Sequence, residues 1–214
     1  MKRLISIVEG HGDVRAVPIL LRGWLRLEGL IGEFFVPDLA INAKGCGNLK
    51  AAHDPRAHRG IEHYVGSALR ARPDAILAVL DADDECLKRT ADNKLGPELL
   101  ARARAVAGTV PVGVVIANRE FEAWFLADLP ALRQGGAVPA DAALDSSVGP
   151  EERAGCKAAV GRLLGEPYEP TVHQAELARA LAFSAEARTL SPSYDKLVRE
   201  LERLSAEART WRSA

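Results

Sequence analysis

The sequence predicts an α/β fold: a central parallel sheet of about four strands flanked by helices, with an α-helical C-terminal extension. Two observations predict it. Short, bare apolar runs alternate with helically spaced apolar residues four times up to about Asp128, the pattern of βαβ units. Beyond Asp128 the strand signals stop, and the remaining segments are helical or rich in turn residues. The chain of 214 residues is therefore divided into an α/β unit over 1–128 and a helical extension over 129–214 that packs on it.

Leu4 to Val8 reads as a strand buried on both faces, ended by Glu9-Gly10. Val14 to Leu30 carries Val17, Leu20, Leu21, Trp24 and Leu25 at helical spacing, with Asp13 placed to cap it and Pro18 in its first turn. Phe34 to Ile41 is the second strand, pushed towards an edge by Pro37. A glycine-rich loop follows at Ala43 to Asn48. Leu49 to Arg72 predicts a helix with a polar break at Asp54-Pro55. Ala75 to Leu80 is the cleanest buried strand and runs into Asp81-Ala82-Asp83-Asp84-Glu85. Leu95 to Ala107 predicts a helix, Val110 to Ala117 the fourth strand, and Asn118 to Leu126 a further helix. Leu132 to Pro150 reads as a loop or lid-like insertion. Helices are expected over Glu151 to Leu164 and Gln174 to Arg188, and a last one starts at Ser191-Pro192, with serine as cap and proline at the first position.

Composition narrows the function. A formal net charge of −1 excludes a global basic field, so any nucleic-acid partner must be held by a local patch or through a metal. Cys46, Cys86 and Cys156 are far apart and form no CxxC pair, which points to a reducing, cytoplasmic compartment. The N-terminal apolar run is too short for a signal peptide, and no segment has the apolar length of a membrane span.

Helical crossovers put the strand C-termini on one edge, where such sheets bind ligands. Glu9 ends the first strand there, and Asp81 and Asp83 follow the third. Residues two apart in an extended chain point the same way, so the D-x-D spacing aims two carboxylates at one point. Converging carboxylates are costly unless a cation neutralises them. An all-oxygen donor set without His or Cys favours Mg²⁺ or Mn²⁺ over Zn²⁺. The plainer alternative is an acidic turn that is solvated or caps a helix.

Val8-Glu9-Gly10 through Asp13, together with Leu80-Asp81-Ala82-Asp83, resembles the signature of the TOPRIM domain of topoisomerases, primases and OLD-type nucleases. The stretch Ala117 to Asp128, the segment Tyr168-Glu169-Pro170-Thr171 with His173-Gln174, and Ser191 to Leu197 resemble a bacterial TOPRIM-like family, domain of unknown function 4276. That resemblance runs over essentially the whole chain. It implies a four-stranded parallel sheet and a Mg²⁺-dependent phosphoryl-transfer site. It implies Glu9 as general acid/base or metal ligand, and Asp81 and Asp83 as the metal-binding pair. Asp13 matches the second acidic position of the first motif or caps the helix. Glu120 and Glu122 resemble acids that supply a second metal in OLD-type nucleases. On a regular helix residues at i and i+2 cannot share a face, which favours Glu120, nearer the strand end. Glu85 is a further candidate ligand or a solvated first-turn acid.

Lys44 sits in the glycine-rich loop on the same edge, either as a cation facing phosphate or as part of a connecting turn. No Walker A pattern, HExxH pattern or G-x-S-x-G elbow occurs. His53, His58 and His63 with Arg56 and Arg59 read as a basic, partly exposed face rather than a zinc site, and His173 as a packing residue at a helix start. The expectation is a Mg²⁺-dependent phosphodiesterase or nuclease, with nucleic acid and a separately encoded ATPase as partners. The rival is a non-catalytic metal- or nucleic-acid-binding subunit of a defence-type assembly. A haloacid-dehalogenase-like phosphatase ranks low, because its D-x-D follows the first strand.

Overall fold

The computed structural model describes residues 1–82, 95–145 and 147–211. Its strands are β1 (Lys2–Val8), β2 (Phe34–Phe35), β3 (Ile41–Asn42), β4 (Ala75–Asp81) and β5 (Val112–Ala117). They form one parallel sheet in the order β2-β1-β4-β5, with β3 also paired to β1. The sheet has five strands rather than about four because the stretch 34–41 divides in two. Pro37 supplies no N–H for a ladder, so the chain pairs with β1 before it, at Lys2 and Arg3, and again after it, at Ile7 and Val8.

The described helices are α1 (Asp13–Leu27), α2 (Cys46–Lys50), α3 (Ile61–Leu69), α4 (Leu95–Ala107), α5 (Glu122–Ala127), α6 (Leu129–Gln134), α7 (Cys156–Leu164), α8 (Pro170–Ala180), α9 (Ala185–Leu190) and α10 (Pro192–Thr210). They cover both faces of the sheet, and the period-two alternation of the strands sorts the core accordingly. Leu4, Val8, Leu77, Val79, Val115 and Ala117 face one side, packed with Leu21, Trp24, Trp124 and Leu197. Ile5, Ile7, Ile76, Ala78, Leu80 and Val114 face the other, under Leu49, Val65, Leu99 and Ala103. Each buried Val, Leu or Ile side chain on these faces contributes about 1.5–3 kcal/mol by its removal from water.

The C-terminal helices share the first of these cores. α10 packs on β5 and β4, and α8 packs on α1. Gly113 in β5 admits α10, since a Cβ there would lie 2.6 Å from Glu200 Oε1. Ser191 caps α10 as the sequence predicts: its hydroxyl accepts the Tyr194 N–H, with Pro192 in the first turn.

Several boundaries differ from the sequence reading. Pro18 lies in the second turn of α1, not the first, since the helix starts at Asp13. The Val14 carbonyl, which would bond the N–H that Pro18 lacks, accepts the Ala40 N–H at 2.9 Å instead. The 49–72 segment is two helices separated by an exposed turn at 52–59. The 118–126 segment becomes helical only at Glu122, since Arg119 takes a left-handed backbone (φ 62°). α7 begins at Cys156, after left-handed Gly155, and Phe183 (φ 56°) lies between α8 and α9. Among the described residues no helix is long and apolar enough to cross a membrane.

Candidate functional site

β1 and β4 are neighbours in register from Leu4↔Ala75 to Val8↔Val79, so their ends bring Glu9 beside Asp81. The strand order reverses at β1, which has β2 and β3 on one edge and β4 on the other. Glu9 and Asp81 therefore lie at the switch point where open α/β sheets take ligands. The Asp81 N–H donates to Glu9 Oε2 at 3.2 Å, and the Phe121 N–H donates to Asp81 Oδ1 at 2.8 Å. Asp81 thus ties the end of β4 to the turn after β5.

Glu9, Asp13, Asp81 and Glu122 line one cavity of about 250 Å³ together with His11, Lys157 and Gln174. Asp13 is not a helix cap. Its Oδ2 accepts the Gly10 N–H at 3.0 Å, and its Oδ1 accepts Gln174 Nε2 at 2.6 Å, which joins the first loop to α8. Gly12 allows this approach, because a Cβ there would stand 2.0 Å from Gln174 Oε1. Lys157, in the first turn of α7, places its ammonium 3.2 Å from Glu120 Oε1 and 3.9 Å from Glu122 Oε2.

The electrostatics are those of crowded, buried acids. Burial, then the charges of Glu122, Glu9 and Asp13, push Asp81 well above the usual carboxylate range, with Lys157 opposing. Burial also raises Asp13 against its two hydrogen bonds, and raises Glu122 against Lys157 and the Tyr168 hydroxyl. Burial lowers the Lys157 pKa, but Glu122, Glu120 and Asp81 outweigh it and hold the ammonium charged. Glu122 is 1 % exposed, and its Oε2 makes no hydrogen bond; the buried Tyr168 hydroxyl makes none of ordinary geometry either.

The structure thus brings together Glu9, Asp81, Asp13 and Glu122. Glu120 also approaches the site, but through Lys157. The helical argument that separated Glu120 from Glu122 does not apply, because Glu120 precedes the helix. Lys44 is exposed and left-handed (φ 57°), outside the residues lining the cavity, although the next N–H, that of Gly45, donates to the Glu9 carbonyl at 2.7 Å. Asp83 and Glu85 lie outside the described residues.

Lys157, Gln174 and Tyr168 were not legible as site residues. Lys157 is one of three cations in the predicted stretch 151–164, with Arg153 and Arg162, and nothing local shows that α7 starts against Glu122. Tyr168 and Gln174 fall in a segment marked only by resemblance. His173 does act at a helix start, its Nδ1 accepting the Glu169 N–H at 2.9 Å. Cys156 is no nucleophile: burial pushes its thiol up to about 12.

Among the described residues no three His, Cys, Asp or Glu side chains stand close enough to hold an ion by themselves. Mg²⁺ needs fewer, since it binds through one or two carboxylates and keeps several waters. Glu9 and Asp81 could supply two such carboxylates, and Glu122 Oε2, which makes no hydrogen bond and lies 3.9 Å from the Lys157 ammonium, is an acceptor that a cation or its water would satisfy. The donor set is all oxygen, which suits a hard cation.

No match was found among curated proteins or among solved structures. The family model for a domain of unknown function, DUF4276, matches residues 8–202, and the chain belongs to that family.

Proposed function

We propose that the protein is a TOPRIM-like phosphodiesterase dependent on Mg²⁺ or Mn²⁺, a cytoplasmic nuclease that works with a separately encoded ATPase. The observation that carries this reading is the convergence of Glu9, Asp13, Asp81 and Glu122 on one cavity at the sheet's switch point. Four acids there cost stability unless the site binds positive charge in use. Glu9, Asp81 and Glu122 would hold the cation, with Asp83 completing the D-x-D pair. The cation would polarise a phosphoryl oxygen and lower the pKa of a water. Glu9 lines the cavity and relays the proton. Asp13 and Gln174 fix the loop that carries Glu9. Lys157 faces the acids as a fixed cation and can meet a phosphate oxygen, with Lys44 adding charge at the rim. A net charge of −1 leaves little affinity for polyanions outside local patches, so a partner would supply the rest.

The test is cleavage of end-labelled DNA and RNA with Mn²⁺ or Mg²⁺, alone and with the product of the neighbouring gene. Cleavage that EDTA stops and Asp81→Asn removes is the expected result. No metal-dependent cleavage under either condition would sink the proposal.

One observation favours a second reading. The Lys157 ammonium already neutralises Glu120 and Glu122, as a structural cation would. In that case the protein is a non-catalytic subunit, and Asp81→Asn leaves its biological activity intact.

A further inference from the structure

The exposed turn between α2 and α3 is a built element. The N–H and carbonyl groups of Asp54 and Arg59 exchange hydrogen bonds of 3.0 and 2.9 Å, closing a small finger. Asp54 Oδ1 accepts the N–H groups of Arg56 and Ala57, which shapes the tip. His58 takes a left-handed backbone (φ 54°), and its Nδ1 lies 3.2 Å from His63 Nε2 on α3.

The finger is tied to the candidate site by a short chain of bonds. The buried Tyr64 hydroxyl lies 2.7 Å from the His58 carbonyl and 3.0 Å from the Ala43 carbonyl, bridging the finger to the end of β3. The Gly60 N–H donates to the Asn48 carbonyl, and Asn48 Nδ2 donates to the carbonyls of Ala43 and Lys44. The Gly45 N–H in turn donates to the Glu9 carbonyl. Four linked segments therefore fix the finger relative to the carboxylate that ends β1.

Its charge is one-sided. Asp54 is the only acid between Ala52 and Gly60, against Arg56, Arg59, His53 and His58. Residues 52–59 are all exposed, and neither arginine enters an ion pair among the described residues. In a chain with a net charge of −1, two unpaired guanidinium groups on a hydrogen-bonded finger mark a local site for a polyanion.

We propose that this finger, through Arg56 and Arg59, binds the phosphate backbone of a nucleic-acid strand and lays that strand across the sheet edge towards the acidic cavity. The choice of nucleic acid over an acidic polypeptide rests on the phosphodiesterase reading, because the finger and the cavity share one edge. Guanidinium groups form bidentate pairs with phosphate oxygens without reading sequence, so the contribution is to affinity alone.

The test is binding of a fluorescein-labelled 20-nucleotide DNA strand to the full chain in EDTA, which separates binding from any cleavage. Arg56→Ala/Arg59→Ala weakens binding about tenfold or more at low salt and lowers the slope of log K against log[salt] by about 1.4, the value for two lost phosphate contacts. Arg56→Lys/Arg59→Lys keeps binding within about threefold, since lysine still supplies the charge. Equal binding by wild type and the alanine variant, with unchanged thermal melting, overturns the proposal. So does the absence of wild-type binding at low salt, or displacement of the strand by polyglutamate at equal charge. Finger-dependent binding without cleavage under any metal removes the phosphodiesterase reading and keeps the finger; cleavage with finger-independent binding removes the finger alone.

Discussion

Two of the regions that bury carboxylates treat them in opposite ways. Within the helical half, Asp128 is 1 % exposed and accepts the N–H groups of Ala182 and Phe183, the Ser184 hydroxyl and, at 3.3 Å, the Tyr194 hydroxyl. Glu151 there accepts the Ser191 hydroxyl, the Ser193 N–H and Asn118 Nδ2. At the sheet edge, Glu122 is equally buried, but its Oε2 makes no hydrogen bond. Asp81 accepts the Phe121 N–H, and burial together with the charges of three acids raises its pKa. A buried acid is therefore no sign of function in itself. Saturated with donors it is a rivet between helices; crowded with other acids it favours a proton or a cation nearby, as Lys157 is here.

The contrast can be broken by substitution in each region. The largest expected effect is on activity: Asp81→Asn lowers metal-dependent cleavage by about 10³-fold or more, the scale at which loss of an electrostatic catalytic group is felt. A gel assay of initial rates measures it, and a change under tenfold would move Asp81 into the structural class. The same substitution should leave stability unharmed, because asparagine still accepts the Phe121 N–H and the repulsion is gone. Asp128→Ala does the reverse. It strands four donors and costs about 3–5 kcal/mol in urea unfolding.

The pH dependence follows from the direction of the Asp81 shift. Its folded pKa is raised, so the native state holds a proton that the unfolded state has already released above about pH 4. Stability from this group is therefore present at low pH and falls as pH rises through the window up to the raised pKa. Thermal melts of the wild type against Asp81→Asn should diverge in that direction, with the variant gaining as pH rises. Protons and metal compete for the same oxygens, so Mn²⁺ affinity should tighten over the same window, as calorimetry would show. The smallest effect expected is for Lys157→Met. It raises the carboxylate pKa values further, and shifts the pH at which Mn²⁺ binds slightly upwards.

Much of the fold was legible because its signals are local. Bare apolar runs marked β1, β4 and β5, and Ser191-Pro192 marked the start of α10. The division of the second strand was half legible: Pro37 weakened it, but only pairing with both ends of β1 shows that two short strands result. The first half of the site was legible for the same reason. Glu9 and Asp81 end strands, and adjacent parallel strands bring their ends together. What could not be read is the part contributed by tertiary packing. Glu122 follows the left-handed Arg119 into a buried position, and Lys157 and Gln174 arrive from helices 35 and 52 residues beyond it in sequence. No periodicity reports where α7 and α8 dock.

Glu9 and Asp81 are proposed to hold a divalent cation at the switch point of the sheet. Anomalous diffraction from crystals soaked in Mn²⁺ tests it most directly. A peak at about 2.0–2.3 Å from oxygens of both Glu9 and Asp81 is the expected result. A well-ordered edge at saturating Mn²⁺ with no peak bonded to either carboxylate would contradict it.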